Sequence, residues 1–196
     1  MKTKITTKTI AGLGVLTAMV VVLQLIANYI QFGPISITLA LFPIAVGAMI
    51  FGPIAGLFLG VVDGFLIILA PSTISGFLAI NAVGTIFTCL LKTGLAGFAA
   101  GWIFYGLKRV NTKLAIFLSS ISVPIINTGL FCVAALTIFN STLLAGANEA
   151  GKNAVIYLFT VWIGFNFFIE FGVNAALALA FFNAFTFINK KFKKEQ

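Results

Sequence analysis

"NAVGTIFTCLLKTGLAG" (Asn81–Gly97) opens an apolar run that continues to Leu107 and contains one charge, Lys92. A helix crosses a bilayer with about 20 mainly apolar residues, so this run is a membrane span. A cation near the middle of an isolated span costs roughly 2.5–3.5 kcal/mol on insertion scales. Lys92 therefore needs a reason to be there, either a buried partner or a ligand.

Composition supports the membrane reading. Of 196 residues, 61% are hydrophobic and 8% charged, against about 25% charged in soluble domains. The chain is expected to be an all-α polytopic membrane protein, with residues 1–196 forming a single domain. Histidine is absent, and Cys89 and Cys132 lie in separate apolar runs, so neither a disulfide nor a metal site is indicated. With no histidine and few acids, no catalytic constellation appears. Neither an enzyme nor a bound cofactor is expected.

Working outward from Asn81–Gly97, six spans are expected: Ile10–Tyr29, Ile35–Ile50, Pro53–Leu69, Val83–Leu107, Leu114–Phe139 and, within an overlong run, Val155–Ile188. The second is short and follows Pro34. Part of Lys152–Thr160 is expected along the membrane interface. The first run follows Lys2, Lys4 and Lys8 but is too long for a signal-peptide core and lacks a clear cleavage site, so it is expected to be retained. Six spans place both termini on one side. That side then carries Lys2, Lys4, Lys8, Lys108, Arg109, Lys113, Lys190, Lys191, Lys193 and Lys194, and the other only Lys152. This asymmetry predicts cytoplasmic termini. It also accounts for the net charge of +8 through orientation and anionic lipid, leaving no role for nucleic acid.

Two stretches imitate functional motifs. "GANEAGKN" (Gly146–Asn153) resembles a phosphate-binding loop, but Asn153 stands where a magnesium-binding hydroxyl would be and no buried strand precedes it. "NST" (Asn140–Thr142) is formally a glycosylation acceptor, a triplet common by chance.

Glycine and polar residues say more. Gly52, Gly56, Gly60 and Gly64 recur every fourth residue, and Gly97 and Gly101 repeat the spacing on the next long span. Such small-residue stripes let helices approach closely in lipid. Ala11, Gly14 and Ala18 form a smaller set on the first span. Within the membrane lie Asp63, Lys92, Asn127, Asn166, Glu170 and Asn174. The topology brings several of these together slightly outside the midplane. There Lys92 either pairs with Asp63 or Glu170 as a structural ion pair or belongs to a substrate site. The segments Pro71–Asn81 and Phe139–Asn153 are expected to be outer loops covering that site. Asn28, Tyr29 and Gln31 end the first span beside them, and Asn28 and Asn81 join the candidate binding residues.

Three stretches together resemble the substrate-binding S components of energy-coupling factor (ECF) vitamin transporters: "ISITLALFPIAVGAMIFGPIAGLFLGVVDG" (Ile35–Gly64), "GTIFTCLLKTGLAGFAAGWIF" (Gly84–Phe104) and "VPIINTGLF" (Val123–Phe131). The resemblance covers nearly the whole chain. It implies a multi-pass protein of a bacterial-type plasma membrane that captures a water-soluble vitamin from outside. It also implies partners, a membrane coupling subunit and two ABC-type ATPases, so no nucleotide site is expected in this chain. Ala11, Gly14 and Ala18 would face the coupling subunit. The motifs look most like the pantothenate-type branch, with pyridoxine- and riboflavin-type members close. Lys92 would then meet the carboxylate, and Asn127 and Asn166 the hydroxyl and amide groups. Two rival classes remain at this point: a stand-alone ion-coupled carrier, with Asp63 and Glu170 as proton sites, and a scaffold that binds no small molecule.

Overall fold

The computed structural model describes residues 7–29, 38–164 and 166–194, without side-chain detail for residue 8 and residues 184–194. Lys2, Lys4, Gln31 and the first residues of the expected second span, Ile35–Ile37, lie outside the described residues.

Every regular element among the described residues is helical. In chain order these are α1 (Thr7–Ala27), α2 (Leu41–Phe51), α3 (Pro53–Ile68), a short α4 (Pro71–Thr73) continued by a π-helical turn (Ile74–Leu78), α5 (Ala82–Leu107), α6 (Thr112–Thr137), α7 (Asn140–Glu149), α8 (Ala154–Tyr157) continued by a π-helical turn (Leu158–Ile163), and α9 (Asn166–Lys194). Local chemistry sets several boundaries. Gly52 (φ 103°) makes the sharp turn between α2 and α3, and Pro53 takes the first helical position of α3, where no intrahelical N–H is needed. Asn81 and Asn111 start the two longest interior helices, each accepting a hydrogen bond from a backbone N–H three residues on, at 2.9 and 3.2 Å.

Four helices are long and apolar enough to cross a membrane, and a fifth crossing results if α3 and the Pro71–Leu78 segment, bent by 67°, count as one. The expected spans over Ile10–Tyr29, Val83–Leu107 and Leu114–Phe139 correspond to α1, α5 and α6. Among the described residues, the expected Ile35–Ile50 span corresponds to the 11-residue α2 (Leu41–Phe51), about 16 Å long at 1.5 Å per residue, roughly half of a hydrocarbon core. The overlong Val155–Ile188 run is divided: helix α8 with its π turn ends at Gly164 (φ 49°), and α9 begins at Asn166. The two segments expected as loops are instead mostly helical, Pro71–Leu78 and Asn140–Glu149. Pro71 at a first helical position, and apolar residues such as Phe77 in one segment and Leu143 in the other, make these segments competent to fold back as short helices once packed on the bundle.

Packing is densest where α3 meets α5 and where α5 meets α6. The glycine stripe explains the first contact. A Cβ on Gly56 would strike the carbonyl of Gly97, one on Gly97 the carbonyl of Gly56, and one on Gly60 the carbonyl of Thr93. The two helix backbones thus touch without intervening side chains, the arrangement that lets van der Waals contact hold helices together in lipid. Leu41, Ile44, Leu59, Ile116 and Val123 fill one apolar core, and Phe139, Leu143, Leu158 and Trp162 a second. Large apolar side chains such as Ile54, Phe58, Phe65 and Trp102 cover the outside of the bundle, as a lipid-facing surface requires.

Candidate functional site

Beside the second apolar core, and lined in part by its Phe139, Trp162 and Ile163, lies a cavity with an empty volume of about 710 Å³, its open mouth included. Its polar wall comes from separate helices. Thr85, Thr88 and Lys92 of α5 recur at steps of three and four and so share one helix face. Asn127 and Thr128 come from α6, and Asn166 and Glu170 from α9. Aromatic rings close the remaining side. Phe77 of the π-helical turn after α4 packs edge-on against Phe139 and Trp162, each at 5.2 Å between centroids, and against Phe131 at 5.8 Å.

Lys92 is buried, 8% exposed, and borders this cavity. Its Nζ lies 6.0 Å from the centroid of the Phe131 ring, a cation–π contact. Among the described residues no carboxylate lies within 4.0 Å of it. The expected ion pair of Lys92 with Asp63 or Glu170 is therefore not formed. Glu170 is engaged elsewhere: its Oε1 accepts a 2.7 Å hydrogen bond from the backbone N–H of Thr38. Asp63 is fully buried, and among the described residues neither of its carboxylate oxygens has a hydrogen-bond partner.

The remaining polar groups present mostly acceptors. The hydroxyls of Thr85 and Thr88 donate to the carbonyls of Asn81 and Gly84, at 2.8 and 2.7 Å. Their oxygen lone pairs are left for a ligand. Asn127 Oδ1 is buried without a hydrogen-bond partner. The cavity thus combines one cation, the carboxylate of Glu170 held by Thr38 N–H, several further acceptors and a wall of edge-packed aromatic rings, a surface suited to an anion that also carries hydroxyl or N–H donors.

The structure brings Lys92, Asn127, Asn166 and Glu170 to this cavity and leaves three other candidates off its wall. Asp63 is fully buried on α3, beside Gly64, where the backbones of α3 and α5 meet, and is not among the cavity-lining residues. Asn81 is exposed, and its side chain caps α5 by accepting from Gly84 N–H. Asn28 is buried at the end of α1, where it accepts from Gln24 at 2.9 Å and donates to the Leu66 carbonyl at 3.3 Å. Sequence reasoning missed the threonines and the aromatic wall. The spacing of Thr85, Thr88 and Lys92 was a usable signal, whereas Phe77 and Trp162 meet only through tertiary packing. Ala11, Gly14 and Ala18 lie on an exposed face of α1, with open space where a Cβ on Gly14 would stand.

No curated protein and no solved structure matches the chain significantly. One family model, described as ECF transporter, substrate-specific component, matches residues 8–182, which include all the cavity-lining residues above. The chain therefore belongs to the substrate-specific components of ECF transporters, membrane proteins that bind a small vitamin-type substrate and pair with a coupling module and ATPases, and not to an enzyme family.

Proposed function

We propose that this subunit captures an anionic, hydroxylated vitamin of the pantothenate type from outside the cell. It passes the vitamin to a membrane coupling subunit driven by two ABC-type ATPases. The observation that carries this reading is Lys92, a buried ammonium on a cavity wall with no acidic partner within 4.0 Å among the described residues. A substrate carboxylate supplies the missing counter-charge. Asn127, Thr85 and Thr88 accept from hydroxyl and amide groups, and Asn166 joins them from α9. Glu170 borders the same space, and its hydrogen bond from Thr38 N–H offsets part of its charge. The proposed topology has six crossings, with α2 completing the sixth, and cytoplasmic termini. The placement of ten of the twelve basic residues supports it.

A second reading within the family has its own support. The cluster of Phe77, Phe131 and Trp162 suits a planar ring, as in pyridoxine- or riboflavin-type vitamins. Calorimetric titration of the purified chain with pantothenate, pyridoxine and riboflavin separates the two. Pantothenate is expected to bind, and Lys92→Met to weaken it by roughly ten- to a hundredfold, the loss of one charge-assisted contact worth about 1.5–3 kcal/mol. Binding of a ring vitamin alone selects the second reading. Unchanged pantothenate affinity in Lys92→Met removes Lys92 from the site.

A further inference from the structure

A second cleft opens at the other end of α5. From Lys92 to Lys108 along that helix is about 24 Å at 1.5 Å per residue. The cleft has an empty volume of about 980 Å³, open mouth included, and lies between α2, α5, α6 and α9. Met49, Ile50, Ile116 and Phe181 give it an apolar wall, and Lys108 and Arg109 stand among its lining residues. The Lys108 ammonium is fixed over the Tyr105 ring, 3.7 Å from the centroid, with Phe104 at 5.8 Å. A cation held on one side by a ring keeps its other donors free for an anion.

Among the described residues no acid compensates these two charges within the cleft. The chain has four acids. Asp63 and Glu170 are buried in the bundle, Glu149 ends α7, and none of these three lines the cleft. The fourth, Glu195, lies outside the described residues. The cleft is therefore apolar in its depth and cationic among its lining groups, at the end of a membrane-spanning helix.

We propose that this cleft is a binding site for one anionic phospholipid. Its phosphate is held by Lys108 and Arg109, and an acyl chain lies along Ile50, Met49 and Phe181. The commitment to a lipid rather than a free anion rests on the apolar wall. A phosphate ion uses only the two cations, whereas an acylated one also covers Ile50, which is 47% exposed in the isolated chain. Basic pockets between membrane helices characteristically hold anionic headgroups. The proposal is independent of which vitamin occupies the other cavity and of which face of the membrane the cleft meets.

Native mass spectrometry of the detergent-solubilised full chain tests it. Phosphatidylglycerol and phosphatidylcholine with identical acyl chains are titrated, with inorganic phosphate as competitor. One phosphatidylglycerol is expected to be retained with about a thirtyfold preference, from two surface cations acting on a net negative headgroup whose charge the choline of phosphatidylcholine would cancel. The double variant Lys108→Gln/Arg109→Gln is expected to lose that preference. If it does not fold, the single exposed-site variant Arg109→Gln is expected to lose about fivefold. Lys152→Gln, far from the cleft, is expected to change nothing. Equal retention of both lipids overturns the proposal, as does an undiminished preference in the cleft variants. An equal loss in Lys152→Gln points to net charge alone and also overturns it. Displacement of the lipid by millimolar phosphate makes this an anion site without a lipid seat, and the proposal fails.

Discussion

Glu170 of α9 accepts a 2.7 Å hydrogen bond from the backbone N–H of Thr38, just ahead of α2, a link across 132 positions of chain. It ties the last helix to the entry of the 11-residue α2, on the wall of the cavity. Among the described residues no carboxylate lies within 4.0 Å of Lys92, and the acid that shares its cavity is anchored to backbone. Glu170→Ala is expected to leave the Thr38 N–H without its partner and to destabilise the protein by about 1–3 kcal/mol. Glu170→Gln keeps a carbonyl acceptor and is expected to lose less. Thermal unfolding in detergent compares the two, and equal melting of parent and alanine variant would deny the bond any structural weight.

The α3–α5 contact predicts a contrast between glycines. Gly60 faces the Thr93 carbonyl and Gly94 Cα directly. Gly60→Ala must push the backbones apart, at about 1–3 kcal/mol for an overpacked site. Gly14 meets nothing within 4 Å, so Gly14→Ala is expected to be neutral or to gain up to about 1 kcal/mol from helix propensity. Thermal melting of the two variants should move in opposite directions or separate clearly.

The exposed set on α1 predicts a separation of binding from transport. Ala11→Trp and Ala18→Trp place bulk on an unpacked face. They are expected to leave vitamin binding intact while reducing accumulation in vesicles that contain the coupling subunit and ATPases. Accumulation by this chain alone, abolished by an uncoupler, would instead favour an ion-coupled carrier.

The proposed topology predicts labelling. With Cys89 and Cys132 replaced, Glu149→Cys is expected to react with an impermeant thiol reagent on intact cells, and Lys193→Cys only after permeabilisation. The reverse pattern would invert the orientation, and reaction of both would put the two positions on one side, with no single crossing between them.

Much of this protein follows from sequence alone. Its membrane character, its helical class, the long spans α1, α5 and α6, and the family resemblance all rest on run length, apolar content and local motifs. These properties are fixed by the cost of exposing backbone and charge to hydrocarbon, wherever the helices end up. The small-residue spacing of Gly56, Gly60 and Gly64 likewise announces a close helix contact before its partner is known. Tertiary structure alone decided the rest. Lys92 looked like half of an ion pair because Asp63 and Glu170 were the acids available, yet pairing depends on rotation about each helix and on competing donors such as Thr38 N–H. The segments Pro71–Leu78 and Asn140–Glu149 read as loops because their local signals are punctuated by Pro, Gly and Ser. They become helices only when the bundle gives their apolar faces something to cover. The aromatic wall of Phe77, Phe131, Phe139 and Trp162 joins residues from four separate segments. Periodicity within one helix carries no information about such a meeting, because the contact belongs to the packing of helices and not to any one of them.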